Sequence, residues 1–172
     1  MATVSGLASL SMSTATPRPS LSYQVERWAS YAADAPPLWP LHWREVGLDQ
    51  DVIPLDMDVE RYAALDAQDI LHIVTMRTVP AWQLVGYHTS LVSPHLHYKR
   101  TLVAAVDLYY VLPAYRQGWA GVRLFREAER TLKARGVVKI ASGTKLHAGL
   151  DMTRLFQYLG YRTTEQLVTK LL

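Results

Sequence analysis

The chain of 172 residues contains no cysteine. This absence excludes disulfide bonds, thiolate metal sites and a cysteine nucleophile, and it suits a reducing compartment. No run of residues approaches the roughly 20 apolar positions that a membrane-spanning helix requires. Residues 1–21 also lack the basic start and the long apolar centre of a secretory signal peptide. We therefore expect a soluble, cytoplasmic protein that does not associate with a membrane.

A strong excess of charge of one sign is also lacking, because 18 lysine and arginine residues stand against 15 acidic residues. So small an excess gives little support to a protein that binds or modifies nucleic acid. The sequence has no internal repeat and no heptad pattern, and its length fits one domain. We expect a flexible tail over residues 1–20, which could order on a second copy or an assembly partner, and a single domain over residues 21–172.

The most informative segment joins an apolar strand to an amphipathic helix through a glycine-containing turn. Residues 102–111 are rich in β-branched and aromatic side chains, which predicts a strand, and Pro113 ends it. A helix is predicted from near Gly118 to residue 135 by apolar residues at helical spacing, namely Gly121, Phe125, Ala128 and Leu132.

The start of this helix is a predicted anion site. Its first backbone N–H groups have no partner within the helix, and the helix dipole is positive at that end. Glycine at positions 118 and 121 leaves room for a diphosphate to approach the backbone. The alternative is a strand-to-helix turn that binds no ligand.

Further elements are predicted on both sides of this segment. Val25, Trp28 and Ala32 share a helical face that Pro36-Pro37 interrupts. A second short helix carries Leu38, Leu41 and Val46, and Asp58 is the predicted N-cap of a third over residues 59–65. Strands are expected over residues 70–78, 82–92, 101–111 and 137–143, a helix over 151–159, and a final strand toward Leu172. This order predicts an α/β fold, a mixed sheet with helices on both faces.

The glycine-containing turn resembles the acyl-CoA pyrophosphate loop of the GNAT N-acetyltransferase family. It reads Val111-x-Pro-x-Tyr-Arg-x-Gly-x-x-Gly, and about 35 residues later Leu155-Phe-Gln-Tyr-Leu-Gly-Tyr161 resembles the closing pattern Leu-Tyr-x-x-x-Gly-Phe of that family. The resemblance covers roughly residues 70–172 and is weak over the first 68. Through Pro94-His-Leu-His-Tyr98 the chain also resembles a subgroup of small GNAT proteins that tailed phages encode, for which the compartment is the host cytoplasm.

The resemblance implies a GNAT-like fold, with a largely antiparallel mixed central sheet, helices on both faces and a splayed strand pair. In this family the pantetheine arm of coenzyme A lies in the splay like an added strand. Acetyl-CoA is therefore the expected acyl donor, and a primary amine of a small molecule or protein is the expected acceptor. The implied cofactor-binding residues are Tyr110, Val111, Leu112, Arg116, Gln117, Gly118, Trp119, Ala120, Gly121 and Phe156.

Two positions depart from the family pattern. The usual loop reads Arg-x-x-Gly-x-Gly, whereas here the first glycine comes one place early and Trp119 stands at the fourth position. The tyrosine that commonly protonates the departing thiolate falls on Phe156, which has no proton to give. Tyr158 lies about 200° around the helix from that position, so Tyr161 or solvent is the expected acid. A catalytically degenerate binding or structural module, in a phage particle or assembly, is the alternative to an active enzyme.

Asp107 is the predicted general base. The thioester is already activated, so the main obstacle is the protonated acceptor, and removing a proton from an amine with a pKa near 10.4 costs about 4.6 kcal/mol at pH 7. Asp107 stands in an otherwise apolar strand, where a carboxylate is costly unless it is hydrogen-bonded or functional. A structural pairing of Asp107 with a loop or an arginine is the alternative. His147, after the next strand, is a second candidate for proton transfer.

No metal site is predicted. His95 and His97 share a face if that stretch is extended, and His88 precedes them, but no nearby third ligand is evident.

Overall fold

The computed structural model describes residues 19–146 and 151–172. Within these ranges it contains five strands, five α-helices and one 3-10 turn. In chain order they are β1 (Ser20–Glu26), α1 (Trp28–Asp34), α2 (Trp39–Val46), α3 (Val59–Ala67), β2 (Leu71–Val79), β3 (Leu84–His95), β4 (Tyr98–Val111), the 3-10 turn (Pro113–Tyr115), α4 (Ala120–Ala134), β5 (Lys139–Ala141) and α5 (Thr153–Tyr158).

The five strands form one open sheet in the order β1-β2-β3-β4-β5. The first three pairings are antiparallel, and β5 joins β4 in parallel. The predicted α/β class with a mixed, largely antiparallel sheet is confirmed. The first strand begins at Ser20, the last residue that the sequence assigned to the N-terminal tail, and residues 1–18 lie outside the described residues.

Helices cover both faces of the sheet. Successive residues of a strand point to opposite faces, and on β2 Ile73 packs with the aromatic residues of α1 and α2, whereas Val74 packs with α4. On the α4 side, Phe125, Ala128 and Leu132 of the predicted apolar stripe are buried. Leu124, which the predicted stripe did not include, is buried with them. The predicted N-cap is also confirmed, since the Asp58 carboxylate accepts a hydrogen bond from the backbone N–H of Arg61 at 2.9 Å.

The predicted helical face of Val25 was wrong, because Val25 lies in β1. The segment Ser-Leu-Ser-Tyr-Gln-Val-Glu over residues 20–26 alternates polar and apolar side chains at every step, which is the period of a strand. Val25 also fits a helical spacing to Trp28, but the strand period extends over all seven residues. The antiparallel pairing with β2 satisfies its backbone groups, and the buried Arg77 of β2 binds Glu26 through two hydrogen bonds of 2.6 and 2.9 Å. Only Trp28 and Ala32 of the predicted face are helical.

The predicted final strand toward Leu172 is also absent, since residues 159–172 form neither helix nor strand. Its apolar residues are exposed, with Leu167 at 88% of its maximum. A strand is stable only where a neighbouring edge satisfies its backbone groups, and β5 at that edge is three residues long. The predicted strand over 137–143 is accordingly shortened to Lys139–Ala141.

The last two strands of the sheet are paired over a short stretch only. The parallel ladder runs from Val103 and Lys139 to Ala105 and Ala141, whereas β4 continues to Val111. Past this ladder the Tyr109 hydroxyl donates a hydrogen bond of 2.8 Å to the carbonyl oxygen of residue 143. This is the predicted splay between the central strand and its successor.

Candidate functional site

Asp107 lies at a β-bulge in β4. In the register between β3 and β4, Thr89 faces Leu108 and Ser90 faces Val106, so Asp107 has no residue opposite it on β3. The Thr89 hydroxyl takes over the pairing there, because the Leu108 N–H donates to its Oγ1 at 3.1 Å. Bulges redirect side chains and are common beside active sites.

The bulge changes the face of the sheet on which the following side chains lie. Ala104 packs beneath α4, and strict alternation would place Tyr110 on the same face. Tyr110 instead packs with the aromatic residues of α1 and α2. Asp107 itself points to the face that α1 and α3 cover, where Tyr62 lies.

The Asp107 carboxylate is exposed to solvent and is held by hydroxyl groups. The Tyr62 hydroxyl donates to its Oδ2 at 2.6 Å, and the Thr89 hydroxyl donates to the same atom at 3.4 Å. The Tyr62 ring stacks on Trp28, with ring centroids 4.9 Å apart and planes inclined by 8°. Burial, followed by the hydrogen bond to Asp107, raises the pKa of Tyr62, so this hydroxyl stays protonated and donates. Asp107 thus presents an exposed carboxylate whose position is fixed by two hydroxyl groups.

Backbone N–H groups of β4 point into the splay. The N–H groups of Leu108 and Leu112 donate toward β3, at 3.1 and 2.9 Å. Because the direction alternates along a strand, the N–H groups of Tyr109 and Val111 point to the opposite edge. That edge lies past the parallel ladder, which ends at Ala105 and Ala141.

The segment between β4 and α4 forms an open turn. After the 3-10 turn, Gly118 adopts φ +68°, a left-handed conformation that favours glycine. Gly121 lies in the first turn of α4, where no such conformation is required. Apart from atoms of neighbouring residues in the chain, a Cβ atom added to either glycine would meet no atom within 4 Å. The space in front of both residues is therefore open to a ligand.

Arg116 anchors this turn to the rest of the protein. Its Nη2 donates to both carboxylate oxygens of Glu45, at 2.6 and 2.8 Å, and its Nε donates to the carbonyl oxygen of Val111 at 2.7 Å. The guanidinium also lies 5.3 Å above the Tyr110 ring. Arg116 therefore joins the turn to α2 and β4, and Glu45 already occupies much of its hydrogen-bonding capacity.

His42, a buried and neutral histidine, packs against Tyr110 beside the Glu45–Arg116 pair. The His42 ring stacks on Tyr110 at 4.9 Å, and its Nδ1 lies 2.9 Å from the hydroxyl of Tyr87. Burial lowers the pKa of His42 to about 4, with a smaller opposing effect of Glu45. The Glu45–Arg116 pair consequently has an uncharged neighbour at neutral pH.

An aromatic cluster fills the space between β4, α4 and α5. Phe156 is buried within it, and its ring lies 6.1 Å from Tyr109, 5.6 Å from Phe125 and 5.4 Å from Tyr161. Burial raises the pKa of Tyr109 to about 12. Burial and then Glu129 of α4 raise the pKa of Tyr161. Tyr161 therefore lies next to the position of Phe156 but is a weaker acid than an ordinary tyrosine.

No protein-family model matches the sequence, and no curated protein matches it. Solved structures do match the fold. An acetyltransferase of Trypanosoma brucei is 16% identical with a TM-score of 0.66, covering 89% of this chain and 100% of its own. A ribosomal-protein-alanine N-acetyltransferase of Brucella melitensis is 14% identical with a TM-score of 0.65, covering 87% and 99%. An aminoglycoside N-acetyltransferase in complex with CoA is 16% identical with a TM-score of 0.61, covering 91% and 98%.

The chain has the GNAT fold. At these identities the likeness shows the fold alone, so the phage-encoded subgroup and the assigned site residues stay predictions. Among the described residues, no helix is both long and apolar enough to cross a membrane.

In this GNAT fold the sequence-predicted residues fall into three groups. Asp107 lies at the bulge on one face of the sheet, whereas Phe156 and Tyr161 lie in the aromatic cluster that α4 covers. Between them the strand end and the turn carry the residues predicted to bind cofactor, namely Tyr110, Val111, Leu112, Arg116, Gln117, Gly118, Trp119, Ala120 and Gly121. His147, the second candidate for proton transfer, lies outside the described residues.

The structure does not bring His88 together with His95 and His97. His88 is buried beneath α4 against the Phe125 ring at 5.0 Å, and burial lowers its pKa to about 3. His95 and His97 lie 5.4 Å apart at the hairpin between β3 and β4. No group of three potential metal ligands occurs within residues 19–146 and 151–172.

Two residues of the site were missed from the sequence. Tyr62 and Glu45 reach Asp107 and Arg116 from 45 and 71 residues away, and neither belongs to a motif. A tyrosine on a helix or a lone glutamate carries no local signal of such a role. Two cavities of about 370 and 450 Å³ lie around Arg135 and Asp69, near the opposite end of α4 from Gly118.

Proposed function

We propose that this protein is an acetyl-CoA-dependent N-acetyltransferase that moves the acetyl group to a primary amine of a small molecule or a protein. Structures that share its fold include a ribosomal-protein-alanine N-acetyltransferase and aminoglycoside acetyltransferases, one of them in complex with CoA. Amines of both kinds therefore belong in the first substrate screen. A reducing compartment such as the cytoplasm suits the absence of cysteine.

The observation that carries this proposal is the open space at Gly118 and Gly121 beside the splay. A glycine in a helix costs about 1 kcal/mol relative to alanine. At Gly121 neither a left-handed conformation nor a packing contact compensates for that cost. Binding of a diphosphate at the start of α4 explains the glycine at position 121, because the diphosphate must come close to the backbone N–H groups there.

The chain positions the two reactants from different directions. The pantetheine arm lies along β4, where the N–H groups of Tyr109 and Val111 bind its amides as a neighbouring strand would. The acceptor amine approaches from the face of Asp107, whose carboxylate accepts the amine proton. The neutral amine then attacks the thioester carbonyl, and a backbone N–H group of β4 that the pantetheine amides leave free stabilises the oxyanion.

The buried position of Phe156 favours a second candidate, a GNAT-fold module that binds CoA without turnover. Phe156 gives no proton, and the neighbouring Tyr161 is a weak acid. An acid is nevertheless dispensable, because a thiol with a pKa near 8.5 leaves readily as a thiolate. We therefore favour an enzyme that releases CoA without a tyrosine acid.

Titration calorimetry with acetyl-CoA, followed by a free-thiol assay with a panel of amines, tests both candidates. Binding together with amine-dependent release of CoA supports the enzyme. Binding without release on small amines, polyamines, aminoglycosides or peptide N-termini supports the module. Absence of acetyl-CoA binding overturns both.

A further inference from the structure

Two large aromatic side chains lie exposed beside the open turn. Trp119 is 57% exposed and Tyr158 is 54% exposed, and their ring centroids are 5.5 Å apart with planes inclined by 43°. Aromatic rings of this size usually contribute to cores and interfaces, where burial of their apolar surface stabilises the protein. The pair joins the start of α4 to the end of α5 and presents its ring surfaces to solvent.

Trp119 has no local structural role that explains its presence. It is the N-cap residue of α4, a position that favours short side chains able to accept a hydrogen bond from the first turn. The indole makes no such capping bond. It also directly follows Gly118, in front of which the protein leaves space.

Arg126 holds the second ring in place. Its guanidinium lies 5.5 Å from the centre of the Tyr158 ring, and its Nη2 donates to the Tyr158 hydroxyl at 3.2 Å. An arginine in this arrangement fixes the ring and adds positive charge beside it. An aromatic surface flanked by a cation suits a planar base that carries phosphate groups.

We propose that Trp119 and Tyr158 bind the adenine ring of coenzyme A by stacking, with Arg126 beside its phosphorylated ribose. This inference rests on the proposed function, in which the diphosphate lies at Gly118 and Gly121. The diphosphate of CoA separates the pantetheine arm from the adenosine. An adenosine attached to a diphosphate at this turn therefore lies within reach of Trp119, the residue that follows Gly118.

The consequence is selectivity among acyl donors. Phosphopantetheine attached to a carrier protein presents the same thioester and the same arm but has no adenosine. The aromatic pair therefore favours free acyl-CoA over an acyl group on a carrier protein.

The test compares two alanine variants with a matched control. Trp119→Ala and Tyr158→Ala each remove one ring of the pair. Trp82→Ala removes another exposed tryptophan, in the turn between β2 and β3. Calorimetry measures the binding of acetyl-CoA, adenosine 3′,5′-bisphosphate and acetyl-phosphopantetheine, and far-UV circular dichroism checks the fold of each variant.

We expect each variant of the pair to weaken the binding of acetyl-CoA and of the bisphosphate by roughly tenfold, the size of one base-stacking contact. Affinity for acetyl-phosphopantetheine stays unchanged, and Trp119→Phe restores most of the loss. Trp82→Ala behaves as the wild type. Wild-type affinity for acetyl-CoA in both alanine variants overturns the inference and leaves the proposed function intact, as does an equal loss for acetyl-phosphopantetheine. A wild-type protein that binds none of the three probes overturns the proposed function as well.

Discussion

Single residues decide whether the turn binds an anion, and Gly118 offers the sharpest test. We expect Gly118→Glu to reduce acetyl-CoA affinity at least tenfold, because its carboxylate repels the diphosphate in the open space. Gly136→Glu is the matched control, since Gly136 also has a positive φ, of 86°, and open space around it, at the other end of α4. Both variants should lose about 1 kcal/mol of stability from backbone strain. Calorimetry on both variants is decisive, and equal affinities would place the diphosphate elsewhere.

The Asp107 carboxylate gives a second prediction about one residue. If it accepts the proton of the amine, Asp107→Asn should lower kcat by about 100-fold or more while the dissociation constant of acetyl-CoA stays the same. Tyr62→Phe keeps the carboxylate and removes only its 2.6 Å hydrogen bond, so we expect a loss of a few-fold and a changed pH–rate profile. An Asp107→Asn variant with wild-type turnover would leave Asp107 with a structural role only.

The sequence showed which residue types were out of place but not which partners they meet. Asp107 was noticed because a carboxylate is costly in an apolar strand, a rule that needs no knowledge of the fold. Its partner Tyr62 and the bulge that positions it depend on contacts between distant segments. Arg116 was recognised from the turn motif, but its bidentate pairing with Glu45 was not.

Individual elements were predicted where one period dominates the sequence. The apolar stripe of α4 and the alternation and turn residues of β2 and β3 identify those elements unaided. The sequence did not predict β1, because this short alternating segment directly precedes α1 and its residue Val25 also fits the helical spacing of Trp28 and Ala32. The C-terminal strand was wrongly expected because β propensity is satisfied only where an edge is available.

The ion pair that joins β1, β2 and α1 provides a prediction about these elements. Arg77 is 2% exposed and binds Glu26 and Asp34, at 2.6 and 2.7 Å. Glu26→Gln should lower the free energy of unfolding by about 3 kcal/mol, because it leaves a buried guanidinium incompletely paired. Asp34→Asn is the control, and since Asp34 is half exposed we expect a loss below about 1 kcal/mol. Urea denaturation measures both, and equal losses would contradict the assignment.

The same pair has a defined pH dependence. Burial raises the pKa of Glu26, but hydrogen bonds from Arg77, Thr75 and Gln24 outweigh it and hold the pKa below its usual value of 4.5. A lowered pKa stabilises the folded state above pH 4.5, and this contribution is lost as the pH falls through the lowered value. The stability difference between wild type and Glu26→Gln should therefore be constant near neutrality and shrink below pH 4.

For the whole molecule, the fold class could be predicted although no known family model matches the sequence. The spacing of apolar residues, the turn residues and the two motifs together predict the order of the helices and strands. That order, with apolar residues buried on both faces of the sheet, specifies this architecture. The acceptor could not be predicted from the sequence, because the first 68 residues carry no recognised motif and few physical rules constrain their loops and helix surfaces.

Three buried histidines make the entire protein sensitive to acid. Burial lowers the pKa of His42 and His72 to about 4, and that of His88 to about 3, from an ordinary value of 6.5. The unfolded chain binds these protons first, so the stabilisation is complete above pH 6.5 and declines below it, by about 1.4 kcal/mol per pH unit for each histidine. Urea denaturation at pH 7.5, 6 and 5 should show a steep fall in the free energy of unfolding.

His88→Leu should reduce the slope of this pH dependence by about a third, because it removes one of the three groups. It should cost little at neutral pH, since the buried Nδ1 of His88 has no hydrogen-bond partner in the described part of the chain. A stability that stays constant from pH 7.5 to 5 would mean that these rings are accessible to water.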